Sequence, residues 1–378
     1  MINMLRNYRL RDYRFSLVVT VIALTVFGIL VIGSAKESVQ SKQILGLCLG
    51  IIAMTATSLI DYKFILKFAW ILYGLNIVLL LMVRIFGTSS HGAKRWISVA
   101  GIQFQPSEFA KILIIIFFAY YFYQHREDFN KPLTILKSLA LFAVPTIFVY
   151  KQPDLSTTIT IVMMFCCMIF IGGLSYKYIL GVLAVAIPLV AVFLVLVMQP
   201  DQQILKEYQY KRIMSWVQPE KYQDTEAYQQ NNSVIAIGSG QLTGKGLNNN
   251  EVSSVKNGNF ISEPQTDFIF AIVGEEMGFI GCCVVVGLLA AIVLQCIWIG
   301  KDAKDLSGVI ICTGMAGWIG FQSFFNLGVT TQLLPNTGLS LPFVSYGLTS
   351  LLSLYIGIGL VLNVGLQKTR YYNDLSES

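Results

Sequence analysis

The chain has 378 residues, 55% of them hydrophobic and only 13% charged, with a mean hydropathy of +0.64 and a formal net charge of +6. Soluble domains carry about 25% charged residues, so this much apolar surface excludes one water-soluble core and points to a bilayer. The basic excess does not indicate nucleic acid, because its lysines and arginines are spread among the loops and form no stripe.

In chain order, ten apolar runs read as membrane helices: 15–35, 43–60, 68–87, 107–124, 133–150, 156–174, 177–198, 266–299, 306–330 and 343–366. The runs are continuous and do not alternate, which predicts helices and not a barrel. The expected fold is an all-α integral membrane protein, one polytopic domain over 1–378 with about ten transmembrane helices. A large extracytoplasmic loop, 199–265, lies between helices 7 and 8 and is expected to hold short amphipathic pieces. The first run is too long for a signal-peptide core and lacks a small-residue cleavage site, so it is expected to remain as the first helix. All seven cysteines fall within apolar runs, without metal-ligand spacing, and read as small lipid-facing or packing residues.

Orientation follows from the basic residues. An even number of spans puts both termini on one side. With the N-terminus in the cytoplasm, the inner segments hold fourteen lysines and arginines, from Arg6 to Arg370. The short outer loops hold six: Lys36, Lys42, Arg84, Lys94, Arg95 and Lys151. Segments 88–106, 151–155, 199–265 and 331–342 then face outside. His91 and His125 fall on opposite faces, which removes a paired histidine metal site.

Four outer clusters carry ionisable or unusual residues. The first runs from His91 through Lys94, Arg95 and Trp96 to Gln105-Pro106-Ser107-Glu108 and Lys111. Pro106 suits a first helical turn, Glu108 favours its dipole, and Lys111 lies three residues on along the same face. An internal ion pair and an interfacial tryptophan explain this cluster structurally, whereas ionisable groups at membrane depth are usually functional. The second is Gln152-Pro153-Asp154, where Asp154 reads as a helix N-cap or a site carboxylate. The third is Thr266-Asp267-Phe268-Ile269-Phe270 with Glu275-Glu276. Here Thr266 or Asp267 would cap a helix, or Asp267 would serve as a general base. The fourth, Leu334 to Gly347, has two prolines and two glycines and reads as an ordered, non-helical turn that lines a cavity or is buried in protein. Gly238 to Gly246 looks faintly like a phosphate loop, but Ser239 replaces the first required glycine and Gly246 the residue after Lys245.

Together and in this order, these motifs resemble the SEDS family of cell-wall proteins. The likeness rests on Gly92-Ala93-Lys94-Arg95-Trp96, Gln105-Pro106-Ser107-Glu108 with Lys111, Gln152-Pro153-Asp154, Thr266-Asp267-Phe268-Ile269-Phe270 with Glu275-Glu276, and Pro342-Phe343-Val344-Ser345-Tyr346-Gly347. Pro153-Asp154-Leu155 and Ala236 to Gly240 with Gly244-Lys245-Gly246 resemble the elongation branch, RodA. The division and sporulation branches, FtsW and SpoVE, stay open. Asn336 and Leu348-Thr349 depart from the family pattern.

The resemblance implies a peptidoglycan glycosyltransferase at the outer face of the bacterial cytoplasmic membrane. It would polymerise lipid II, a disaccharide-pentapeptide on a polyprenyl pyrophosphate, alongside a class B penicillin-binding protein. It further implies Asp267 as the base, with Lys94, Arg95, Lys111, Arg212 or a divalent cation (Mg or Mn) facing the departing pyrophosphate. Trp96, Glu108, Asp154 and Ser345 would bind substrate or support the site. A lipid-linked precursor flippase and a non-catalytic scaffold are the rival readings. Only an enzyme makes polymer from lipid II in detergent.

Overall fold

The computed structural model describes the chain except residues 1–12, 91–92, 100–101, 153, 198, 200–206, 223–224, 226, 249–253, 255–257, 259 and 368–378. His91, Gly92 and Pro153, part of the motifs above, therefore lie outside the described residues.

Among the described residues, ten long apolar helices follow the predicted runs closely. They are α1 (Phe15–Ala35), α2 (Glu37–Leu59), α4 (Ala69–Phe86), α5 (Pro106–Gln124), α6 (Pro132–Tyr150), α7 (Leu155–Ile171), α8 (Tyr176–Val197), α11 (Ile269–Lys301), α12 (Leu306–Thr330) and α13 (Leu348–Leu366). Eight are long and apolar enough to cross a membrane. In α7 and α8 the apolar stretches, Leu155–Ile171 and Tyr176–Leu189, are shorter. The described residues also include three short α-helices: α3 (Tyr62–Leu66), α9 (Glu207–Val217) and α10 (Tyr228–Ser239). The last two lie in the long loop, where amphipathic pieces were expected.

Helices α5, α12 and α13 form the centre. On α5, fifteen residues from Pro106 to Phe122 are buried, including Ser107, Glu108 and Lys111. Apolar residues on the outer helices point the other way: Leu30, Ile71, Ile85, Leu136 and Ile147 are all exposed. That inversion is what lipid as solvent demands.

Two features were not legible in the hydropathy. Segment 88–104, read as a loop, is a three-stranded antiparallel meander: β1 (Thr88–Ser90), β2 (Ala93–Val99) and β3 (Ile102–Phe104). Trp96 pairs with Thr88 and Ile97 with Phe104. The second is a break in α11 at Gly278 (φ 63°, ψ −161°). Unbroken, its 33 residues would reach about 50 Å, well beyond a hydrocarbon core of about 30 Å. The piece after Gly278 spans about 34 Å at 1.5 Å per residue.

The glycine-rich segment after α10 seals that break. Lys245 N donates to Glu275 O (3.0 Å) and Gly246 N to Glu276 O (3.0 Å), while Phe279 N donates to Gln241 O (2.8 Å) and Ile280 N to Leu242 O (3.2 Å). Backbone groups freed by the break are thus paired within the protein, as membrane depth requires. A Cβ on Gly244 (φ +81°) would fall 2.2 Å from Glu276 O, which explains glycine there. This sealing role accounts for a segment that imitates a phosphate loop without its key residues.

Candidate active site

Asp267 lies two residues before α11. The sequence left open whether Thr266 or Asp267 caps that helix. Neither does: the N-cap position is Phe268, without a side-chain cap, and the Thr266 hydroxyl donates to Glu263 O (2.8 Å). The Asp267 carboxylate makes no hydrogen bond among the described residues, so capping does not consume it. Asn326 of α12 fixes the backbone instead, its Nδ2 donating to Asp267 O (2.8 Å) and Leu339 O (2.5 Å).

Part of Asp267 stays open, yet surrounding protein makes burial the largest influence on its carboxyl, which rises from 3.8 to about 6. The Arg95 guanidinium opposes this rise, Asp154 and Glu263 add to it, and Arg212 opposes it again. Arg95, Asp154 and Arg212 from three distant segments, with Glu263 four residues upstream, therefore share one electrostatic neighbourhood with Asp267. Gly338 (φ +69°) faces the carboxylate; a Cβ there would sit 3.1 Å from Asp267 Oδ2.

Each neighbour is delivered by its own element. Strand β2 carries Arg95 to the start of α7, where Arg95 Nε donates to Gln152 O (3.3 Å) and its Nη1 lies 4.0 Å from Asp154 Oδ1. Asp154 is also the predicted N-cap, accepting from Thr157 N (3.2 Å). Gln105, preceding α5, donates to the other Asp154 oxygen (3.4 Å). Arg212 comes on α9, whose Trp216 indole donates to Gln332 O (3.1 Å). Helix α10 docks beside it, Gln230 Nε2 donating to Val329 O (2.9 Å) and Leu334 O (2.8 Å). The Ser156 hydroxyl of α7 donates to Thr337 O, tying α7 to the last loop.

Glu108 and Lys111 form the ion pair that the spacing predicted, at 2.7 Å. Lys111 is fully buried. It donates to Gln322 Oε1 (2.8 Å), lies 4.7 Å from the Trp318 ring centroid, and has no exposed atom for a pyrophosphate. Gln322 Nε2 donates to Ser340 O (2.9 Å), so the pair braces the last loop from below. Ser345 is buried too; its hydroxyl accepts from Leu341 N (2.7 Å) and closes the turn. Trp96 is half-buried on β2. Lys94 pairs with Ser89 on the same meander, and its side chain lies outside what is described. Among the described residues, no three His, Cys, Asp or Glu side chains converge as a metal site.

Sequence reasoning missed Gln322 and Asn326. Both are polar residues inside an apolar run, a signal that marks partners at membrane depth. It also missed Lys245 with Glu275 (3.1 Å), which clamps the broken helix one turn before Gly278.

The FtsW, RodA and SpoVE model, described as cell cycle proteins, matches residues 10–370. The Trichlorobacter lovleyi protein named Probable peptidoglycan glycosyltransferase FtsW is 32% identical, covering 96% of each chain. The Escherichia coli protein named Peptidoglycan glycosyltransferase MrdB is also 32% identical, covering 92% of each. A chain from a peptidoglycan synthase complex that coordinates polymerization and crosslinking superposes with a TM-score of 0.79 at 26% identity, over 95% of this chain and 99% of that one. The rod shape determining protein RodA of Thermus thermophilus shares the fold, with a TM-score of 0.68 at 24% identity over 95% and 98% of the two chains. Motifs, fold and relatives agree: this chain is a multi-pass membrane protein of the FtsW/RodA/SpoVE family.

Proposed function

We propose that this chain is a peptidoglycan glycosyltransferase that polymerises lipid II at the outer face of the bacterial cytoplasmic membrane, with Asp267 as general base. One observation carries the reading: an uncommitted carboxylate, raised to about 6, stands beside two arginines at the mouth of the helix bundle. The relatives named as glycosyltransferases support it. The bias of lysines and arginines supports cytoplasmic termini and an Asp267 end that faces outside, where the sugars of the substrate lie.

In the proposed reaction, the 4-hydroxyl oxygen of one lipid-linked sugar bonds to the anomeric carbon of another. The bond from that carbon to the pyrophosphate breaks, and polyprenyl pyrophosphate leaves with the electron pair. Asp267 takes the hydroxyl proton, a contribution of about 10²–10⁴-fold. At a proton affinity near 6 the carboxylate is mostly ionised at neutral pH yet far more basic than an ordinary aspartate. Arg95 and Arg212 face the negative charge that develops on the leaving group. Asp154 aims Arg95, and the buried Glu108–Lys111 pair supports the last loop. The described residues build no metal cage, and no step is routed through a divalent ion.

The likeness to a chain of a complex that couples polymerization and crosslinking supports a class B penicillin-binding protein as partner. The Trichlorobacter lovleyi FtsW relative and the Escherichia coli MrdB relative are each 32% identical over more than 90% of this chain, so identity does not separate the branches. The elongation role therefore rests on Asp154-Leu155 and the Gly238 to Gly246 segment. The test is glycan synthesis from lipid II in detergent by the purified chain with its partner. Asp267→Asn should insert and bind the partner normally and lose about 10²–10⁴-fold in rate. Long glycans made by that variant at the parent rate would remove Asp267 from this role, and no polymer from the parent chain would favour a flippase.

A further inference from the structure

At the opposite end of α5 from the Asp267 site, a recess of about 540 Å³ opens between α4, α5 and α6. Its polar end is made by three side chains. Lys137 is exposed on α6 and makes no hydrogen bond or ion pair among the described residues. Its neighbours are neutralised: Lys131 pairs with Asp128 (2.6 Å) and Arg126 with Glu127 (3.7 Å). His125 caps the C-terminal end of α5. Its Nδ1 lies 2.9 Å from Tyr121 O, and a carbonyl only accepts, so Nδ1 carries the hydrogen and Nε2 of the neutral ring is an acceptor. Tyr121 is 3% exposed, stacks on His125 at 4.2 Å, and its hydroxyl has no partner among the described residues. A buried hydroxyl without a partner is costly.

The rest of the recess is apolar. Ala140, Leu141 and Val144 follow Lys137 at three, four and seven residues and so share its helix face. Trp70 closes the far side, a residue suited to the lipid interface. Among the described residues, no acidic side chain lines the recess. A headgroup-sized polar end thus continues into a strip along a membrane helix, with two donors, one acceptor and one uncompensated positive charge.

We propose that this recess binds an anionic glycerophospholipid whose headgroup carries a free hydroxyl. Lys137 and Tyr121 donate to the phosphate, His125 Nε2 accepts from the headgroup hydroxyl, and one acyl chain lies along Ala140, Leu141 and Val144. The site is separate from Asp267 and does not rest on the glycosyltransferase reading.

Native mass spectrometry of the delipidated full chain, titrated in detergent with phosphatidylglycerol or phosphatidylcholine, tests this. Phosphatidylglycerol should bind more tightly. Lys137→Gln should weaken it about fivefold, the value of one basic residue on an anionic lipid, and leave phosphatidylcholine unchanged. Val144→Trp, which fills the strip without touching charge, should weaken both. Lys131→Gln, on the same side but already paired, should change neither. Lys137 is exposed, so its variant tests the site without threatening the fold. Equal binding of the two lipids, parent-like binding by Lys137→Gln, or displacement of phosphatidylglycerol by millimolar inorganic phosphate would each overturn the proposal.

Discussion

Asp267 held as an anion costs the folded protein stability, and removing its charge should give that stability back. Its proton affinity rises from 3.8 to about 6 on folding. A raised carboxyl favours the protonated folded form, so its penalty is absent well below pH 3.8, grows through the interval, and is complete above about pH 6. Two units correspond to about 3 kcal/mol at 1.36 kcal/mol each, an upper figure because part of the residue remains in solvent. Asp267→Asn should therefore melt a few degrees higher than the parent at pH 8, with roughly half that advantage at pH 5. Thermal melts of both proteins in one detergent at the two pH values measure this. A variant that melts lower than the parent at pH 8, or whose offset does not change with pH, would refute the assignment of a destabilised carboxylate.

Lys111→Met should destabilise by about 3–5 kcal/mol, because Glu108 is left buried without its partner; adding Glu108→Gln should recover most of the loss in the same melts. Gly244→Ala should cost about 3–4 kcal/mol. That sums an L side chain in the left-handed region, about 1–2, and the two backbone bonds to Glu275 and Glu276, about 1 each. Parent-like melting of Gly244→Ala would mean the glycine-rich segment does not seal the break in α11.

The spans were legible because uncharged runs of about 20 residues have few alternatives to a membrane helix. Local pairs were legible for a similar reason: three-residue spacing placed Lys111 on Glu108, and Asp154 stands where a cap is needed. What joins segments far apart was not. Nothing near Lys111 announces Gln322, 211 residues away, and nothing near Asp267 announces Asn326 as its anchor. Gly278 sits in an apolar run with other glycines, and only the length of that run hinted at a break. The meander escaped because its strands are short and carry charges. The arginine it delivers, Arg95, was singled out by motif, while its contact with Asp154 needed the fold.

The central claim is that Asp267 removes the proton, and the pH dependence of kcat/KM for lipid II polymerisation tests it most directly. The acid limb should fall to half near pH 6 and to about one tenth near pH 5. Asp154 raises the Asp267 carboxyl, so Asp154→Asn should move that limb to lower pH. A profile flat from pH 5 to 7, or a limb that moves upward in Asp154→Asn, would contradict the claim.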